Sequence, residues 1–342
     1  MKGILLCAGK GTRIQPFSLT QPKTLMPVAN STILERCIQK MVEIGIEEIA
    51  IVVSPTQQAI VDYVTEHIQQ PKIIFILQNE PKGIFHALCQ AKSFIDNERF
   101  VLMLGDNIIG ESLESLIKAF EGNQGALLLA EVRNPQDYGV AEIHGERILR
   151  LVEKPLHPVS RLAVIGTYAL DPVIFEVARD LIPSVRGEYE LTDALQCMLS
   201  EGLQINYRIT DRLFADVGTV ERCLETNRAL LDVELNGKVV IGPDTLISNC
   251  TFIGPVIIGG RCRLTNAVIG PYVSIQDDCE VNDCQIENSI LMQESSIRHI
   301  DSKITFSVLG CRVRLTDLHR SNNEIHYILG EKSEIKGEES FE

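Results

Sequence analysis

The sequence predicts an α/β protein: a doubly wound mixed sheet followed by a left-handed parallel β-helix. Two patterns carry that expectation. Apolar runs alternate with helix-period segments through about residue 230, and beyond Leu231 aliphatic residues recur about every six positions. Alternating strand and helix segments pack as a largely parallel sheet that presents ligands at the carboxyl ends of its strands. A short, fixed aliphatic period marks a solenoid, because each repeat buries its inner face only against its neighbours.

Ile4 to Cys7, Glu48 to Val53, Ile73 to Leu77, Phe100 to Leu104 and Ala126 to Val132 are strand-length apolar runs, the pattern of strands buried on both faces. Between them, Thr32 to Ile44 sets Ile33, Leu34, Cys37, Ile38, Met41 and Val42 at helical spacing. Gln57 to Ile68, Ile84 to Phe94 and Leu113 to Phe120 repeat that period. Further on, Ile241, Ile247, Ile253, Ile258, Leu264, Ile269, Ile275 and Val281 supply the solenoid period, with one-residue phase slips between blocks. Ile290, Ile297, Ile304 and Val308 extend it to about residue 316. The expected domains are therefore 1–232, a β-helix over 238–316 and a tail over 317–342 whose charged last dozen residues fray.

Composition narrows the function. A net charge of −14, 5% aromatic residues and no tryptophan among 342 residues argue against a nucleic-acid partner, which requires a basic surface and stacking platforms. Any polyanionic ligand must then sit in a local cationic pocket, and carboxylates sharing a site with phosphates call for Mg²⁺ between them. The chain has no basic leader and no apolar run of membrane-spanning length, so a cytoplasmic protein without a membrane partner is expected. Ten singly scattered cysteines with no Cys-x-x-Cys read as free buried thiols. Flat β-helix ends need a cap or a partner, which implies a homo-oligomer.

The chemistry begins after the first strand. Ala8-Gly9-Lys10-Gly11-Thr12-Arg13 is a glycine turn at a strand end, and Pro22-Lys23 follows it. Such a turn offers bare backbone N–H groups to phosphate oxygens, and Arg13 and Lys23 add two cations. It is not a P-loop, since one residue separates Gly9 from Gly11 and Thr12-Arg13 follows. It is not a dinucleotide fingerprint either, because Ile14 stands where the third glycine belongs. Asp106 in Leu104-Gly105-Asp106-Asn107 and Asp216 in Phe214-Ala215-Asp216-Val217-Gly218-Thr219 each follow a strand. Two carboxylates from distant segments suit one Mg²⁺ bridging phosphates, although either aspartate alone also suits a turn or a helix cap.

These segments resemble the sugar-1-phosphate nucleotidyltransferases, and among them the long glucose-1-phosphate thymidylyltransferases. The resemblance rests on the opening motif, Gln78-Asn79-Glu80-Pro81-Lys82-Gly83 followed by His86-Ala87, Leu104-Gly105-Asp106-Asn107, Tyr138-Gly139-Val140 and Glu153-Lys154-Pro155. Arg186-Gly187-Glu188-Tyr189-Glu190-Leu191-Thr192-Asp193 and Asp216-Val217-Gly218-Thr219 complete it, in family order. It implies that Leu6, Ala8, Gly9, Gly11 and Thr12 wrap the nucleotide, that Arg13 steadies the triphosphate, and that Lys23 meets the reacting α-phosphate. Gln78, Pro81 and Gly83 would hold the pyrimidine. Tyr138, Gly139, Glu153, Lys154, Tyr168 and Arg186 would hold the sugar phosphate, with Lys154 a catalytic cation. Asp106, also a nucleotide contact, and Asp216 would hold Mg²⁺. Ala8, Ile84-Phe85 and Phe214 depart from the family's glycine, Leu-Ala and tryptophan.

The implied reaction joins dTTP and glucose 1-phosphate into dTDP-glucose and pyrophosphate, with UTP as an alternative donor. Plainer readings stand beside these roles: Glu153-Lys154 as a surface ion pair, Gly139 as a turn residue, Tyr168 as core. Two other classes also stand, a catalytically silent nucleotide-sugar-binding subunit and a β-helix acyltransferase. The latter needs a catalytic histidine, and the tail offers only His299, His319 and His326.

Overall fold

The computed structural model describes residues 1–145, 147–318 and 324–337. His319 and residues 338–342 of the expected frayed end lie outside them. The chain forms two compact units, Met1–Gly9 with Leu34–Asp216, and Lys10–Ile33 with Val217–Glu342. This division into compact units passes through the glycine turn and just after Asp216.

The first unit is built on a nine-stranded mixed sheet. β1 (Lys2–Leu6), β2 (Glu48–Val53), β3 (Lys72–Leu77) and β4 (Phe100–Leu104) are parallel, with β1 between β2 and β4. Their inner residues, among them Ile4, Ile51 and Leu102, are fully buried, which is why they read as unbroken apolar runs. β5 (Asn107–Ile109) turns away from the sheet just beyond β4. β6 (Gly125–Glu131), the hairpin β7 (Gly139–His144) and β8 (Arg147–Glu153), β9 (Leu162–Leu170) and β10 (Ile205–Thr210) make the other half. β9 runs antiparallel to β4 and β6, whereas β10 pairs parallel with β6. β11 (Phe214–Asp216) pairs with β5 in a separate two-stranded ribbon.

Helices α1 (Ile33–Glu43), α2 (Gln58–His67), α3 (Ile84–Gln90), α4 (Lys92–Ile95), α5 (Leu113–Phe120), α6 (Ile174–Val177) and α7 (Leu191–Ser200) accompany these strands. The single helix expected over 84–94 is two, because Ala91 (ψ 0°) leaves the helical basin and its N–H turns to Leu88 and Cys89.

In the second unit α8 (Val220–Leu235) begins at Thr219, whose hydroxyl accepts from the Arg222 N–H, a side-chain N-cap. The chain then winds into a left-handed parallel β-helix of three sheets with six, six and five strands. Ile241, Ile258, Ile275, Leu291, Leu309 and Leu329 stack along the first sheet. Ile247, Leu264, Val281, Ile297, Leu315 and Ile335 stack along the second. Phe252, Ile269, Ile286, Ile304 and Ile325 fill the third.

The phase slip in the sequence thus has a geometric cause. Strands of the third sheet span two residues, such as Thr251–Phe252, where early strands of the other two span three. Each early coil is accordingly one residue short of three hexapeptides, and Ile241, Ile258 and Ile275 are seventeen residues apart. Phe252, not Ile253, occupies the inner position; Ile253 is exposed. The ladder also continues past residue 316, to a last strand at Glu334–Lys336. The later coils lengthen, with Leu309 and Leu329 twenty residues apart, so the six-residue period disappears while the stacking persists. No helix among the described residues is long and apolar enough to cross a membrane.

Candidate active site

A single pocket in the first unit collects residues from six separated motifs: Asp106, Tyr138-Gly139, Glu153-Lys154, Tyr168, Thr192 and Asp216. Strand register explains the convergence. In the β7–β8 hairpin Gly139 is the direct partner of Glu153, and the Lys154 N–H donates to the Tyr138 carbonyl at 3.0 Å. Lys154 itself takes a positive φ of 40° as the strand ends. The β5–β11 ribbon sets Asp216 opposite Asn107, so two aspartates more than a hundred positions apart share one wall. The Gly105 N–H donates to the Leu6 carbonyl at 2.9 Å, tying the end of β1 to the Asp106 loop.

Glu153, which lines the same pocket, is the centre of a local network. It accepts from the Thr192 hydroxyl at 2.6 Å and from Arg186 at 3.5 Å, with the Lys154 ammonium 3.9 Å away. Gly139 has to be glycine, since a Cβ there would stand 2.6 Å from Thr192 Oγ1 and 3.2 Å from Glu153 Oε2. Arg186 also reaches Glu190 at 3.3 Å and Glu188 at 3.4 Å. Burial, with Glu153 beside it, pushes the Glu190 carboxyl above its usual range. The Tyr168 hydroxyl is pushed upward by burial and then by Glu153, so it stays neutral and able to donate. Tyr168 is both core and pocket lining, 5% exposed.

The nucleotide segments fold locally as follows. Gln78, 6% exposed, donates through Nε2 to the Gly83 carbonyl at 3.3 Å. Gly83 has φ of 105°, and a Cβ there would meet the Tyr189 backbone at 2.6 Å. Pro81 lies in the exposed part of the same loop. Ala8 is buried and Gly9 exposed at the end of β1. Gly11, Thr12, Arg13 and Lys23 belong to the second unit. There Gly11 adopts φ of 63°, and a Cβ would lie 3.1 Å from Lys23 Cβ; the bare glycine lets the Lys23 stem cross the turn that carries Arg13.

Sequence reasoning missed three contributors. Gln57 donates to the Cys7 carbonyl at 2.9 Å and the Gly9 carbonyl at 3.1 Å, bracing the turn from the start of α2. Gly166, at φ of 65° in a β9 irregularity, leaves room for Asn107, whose Nδ2 donates to the Ile165 carbonyl at 3.0 Å. His86 abuts Gln78 at 3.0 Å. Of these, His86 stands in the motif after Gly83 without a role, and Gly166 is marked only as a glycine inside an apolar strand run.

Among the described residues no three or more His, Cys, Asp or Glu side chains gather into a protein-only metal cage. Two hard carboxylates on one pocket wall suit Mg²⁺, which keeps waters and takes its remaining ligands from substrate phosphates.

A mixed sheet bearing this pocket, joined to a β-helix, belongs to a known class. Residues 2–233 match the family model for nucleotidyl transferase, so the chain belongs to that family and is a nucleotidyltransferase. The chain is 32% identical to a glucose-1-phosphate thymidylyltransferase of Streptomyces antibioticus, over 98% of this chain and 99% of that one. It is 33% identical to the low-salt glycan biosynthesis nucleotidyltransferase Agl11 of Haloferax volcanii, over 91% and 92% of the two chains. A Bacillus anthracis structure assigned as a glucose-1-phosphate thymidylyltransferase, in complex with a sucrose, superposes with a TM-score of 0.62 at 30% identity. The match covers 66% of this chain and 94% of that one.

Proposed function

We propose that this nucleotidyltransferase makes dTDP-glucose and pyrophosphate from dTTP and glucose 1-phosphate. The observation that carries the reading is the first-unit pocket, which Asp106, Asp216, Tyr138, Glu153, Lys154 and Tyr168 line together; the near full-length likeness to a thymidylyltransferase supports it.

The sugar phosphate is already ionised at neutral pH and serves as the nucleophile. Its oxygen bonds to the α-phosphorus as the bond to the β-phosphate bridging oxygen breaks, and pyrophosphate departs. No general base is required, so the protein contributes alignment and charge neutralisation. Glu153 and the Tyr138-Gly139 backbone orient the hexose, and Lys154 and Arg186 meet its phosphate. Arg13 and Lys23 neutralise the triphosphate, with the backbone from Leu6 to Thr12 around the nucleotide and Gln78, Pro81 and Gly83 at the base. Asp106 and Asp216 would hold Mg²⁺, which when bound spreads the negative charge of the phosphates. The homo-oligomer expected of the β-helix is part of this proposal, and light scattering on the purified chain tests it.

Pyrophosphate release tests the reaction, with Mg²⁺ and glucose 1-phosphate and each of dTTP, UTP, GTP, ATP and CTP in turn. Fastest release with dTTP supports the proposal. Comparable release with UTP makes the enzyme dual in donor, since one methyl is worth only about 1–3 kcal/mol of discrimination. Release with none of them favours a silent nucleotide-sugar-binding subunit.

A further inference from the structure

We propose that His86 sets the pyrimidine choice of this enzyme by locking the amide of Gln78; the inference rests on the placement of Gln78 at the base in the proposed function. His86 sits in the first turn of α3, three residues after Gly83, with its ring stacked on Tyr189 at 6.4 Å between centroids. Its Nδ1 is 3.0 Å from Gln78 Nε2. The same Nε2 is 3.3 Å from the Gly83 carbonyl oxygen.

These two neighbours define which end of the amide faces them. A carbonyl oxygen can only accept, so the Gln78 atom toward Gly83 is the NH₂ group. An amide NH₂ can only donate, so Nδ1 of His86 accepts and the ring proton sits on Nε2. Gln90 Nε2 comes within 3.4 Å of that second nitrogen and donates to the His86 carbonyl at 3.1 Å; a neutral ring accepts at one nitrogen only, and the shorter contact, at Nδ1, takes that place. The longer contact does not compete with the 3.0 Å bond.

Both hydrogens of the Gln78 amide are thereby committed to protein acceptors. Among the described residues the side-chain hydrogen bonds of Gln78 both run through Nε2, and its Oε1 is not among the buried atoms that lack a partner, so that oxygen is left open to accept from a ligand. With both amide hydrogens held by the protein, the group presents only an acceptor, so it selects a base that can donate to it. Thymine and uracil carry a hydrogen on N3 and can supply it; cytosine has a lone pair there and would set acceptor against acceptor. A site built around one hydrogen bond rejects the analogue lacking that group far more strongly than a shape pocket rejects a methyl. His86 is thus a positioning residue, acting on the base through Gln78.

The test compares equilibrium binding of dTTP and dCTP by calorimetry, together with kcat/KM for both, in the full-length protein and three variants. The wild-type protein is expected to prefer dTTP by about 100-fold or more. His86→Phe keeps a ring for Tyr189 but has no acceptor, and is expected to lower that preference about tenfold while KM for glucose 1-phosphate stays put. His86→Ala carries the same expectation should the phenylalanine disturb the fold. His86→Gln restores an acceptor and is expected to retain the preference within about threefold. An unchanged dTTP-to-dCTP ratio in folded His86→Phe or His86→Ala overturns the inference and leaves the proposed function standing. A wild-type protein that neither binds nor turns over dTTP overturns both together.

Discussion

Asp216 faces Asn107 across the β5–β11 ribbon, one residue along from Asp106. The antiparallel register converts a separation of more than a hundred residues into adjacency on one pocket wall. Asn107 is pinned in turn, its side chain donating to Ile165 and its carbonyl accepting from the Cys37 thiol at 3.3 Å. The carboxylate pair therefore rests on three elements, β5, β9 and α1.

If this pair holds the metal, Asp106→Asn and Asp216→Asn each remove a hard anionic ligand with almost no change of volume. Turnover is expected to fall by at least on the order of 10²-fold, with circular dichroism and melting temperature close to wild type. Full turnover in either variant would remove the metal assignment.

In the second unit Asn227 accepts from the Ala29 N–H at 2.8 Å and the Ser274 hydroxyl at 2.7 Å, joining α8 to a left-handed turn and to the β-helix. It is 1% exposed. Asn227→Ala strands both donors in the interior and is expected to cost about 2–6 kcal/mol, at about 1–3 per unsatisfied group. Chemical denaturation followed by a β-helix probe reads the loss, and wild-type stability would show that other groups satisfy those donors.

Burial pushes the thiols of Cys37, Cys223 and Cys284 from near 9 up to about 12. For Cys37 and Cys284 a neighbouring aspartate adds to the effect. Between those values the unfolded chain has released protons that the native protein still holds, so stability falls as pH rises from about 9 toward 12. Below 9 the thiols contribute no slope. Each gives at most about 1.4 kcal/mol per pH unit. Denaturation midpoints at pH 8, 9 and 10.5 should show the decline, and a Cys37→Ala, Cys223→Ala double variant should decline less steeply; equal slopes would refute the linkage.

Much of the fold was legible because buried parallel strands and stacked coils both write themselves as aliphatic patterns. The strand expected at Glu48–Val53 and the helix expected at Leu113–Phe120 match the observed bounds. The β-helix misreadings share one cause. A fixed six-residue template cannot see that one sheet of the three has shorter strands, so Ile253 took the place of Phe252. Nor can it follow coils that lengthen toward Lys336.

The sequence by itself determined the two architectures, the glycine turn with its two cations, and each short motif of the site, because these depend on neighbours a few residues apart. Only the tertiary structure decided which motifs meet. Register put Gly139 against Glu153 and Asp216 against Asn107, a β9 irregularity opened space at Gly166, and α3 brought His86 to Gln78. Such contacts are set by strand pairing and packing between segments distant along the chain, which local periodicity does not encode.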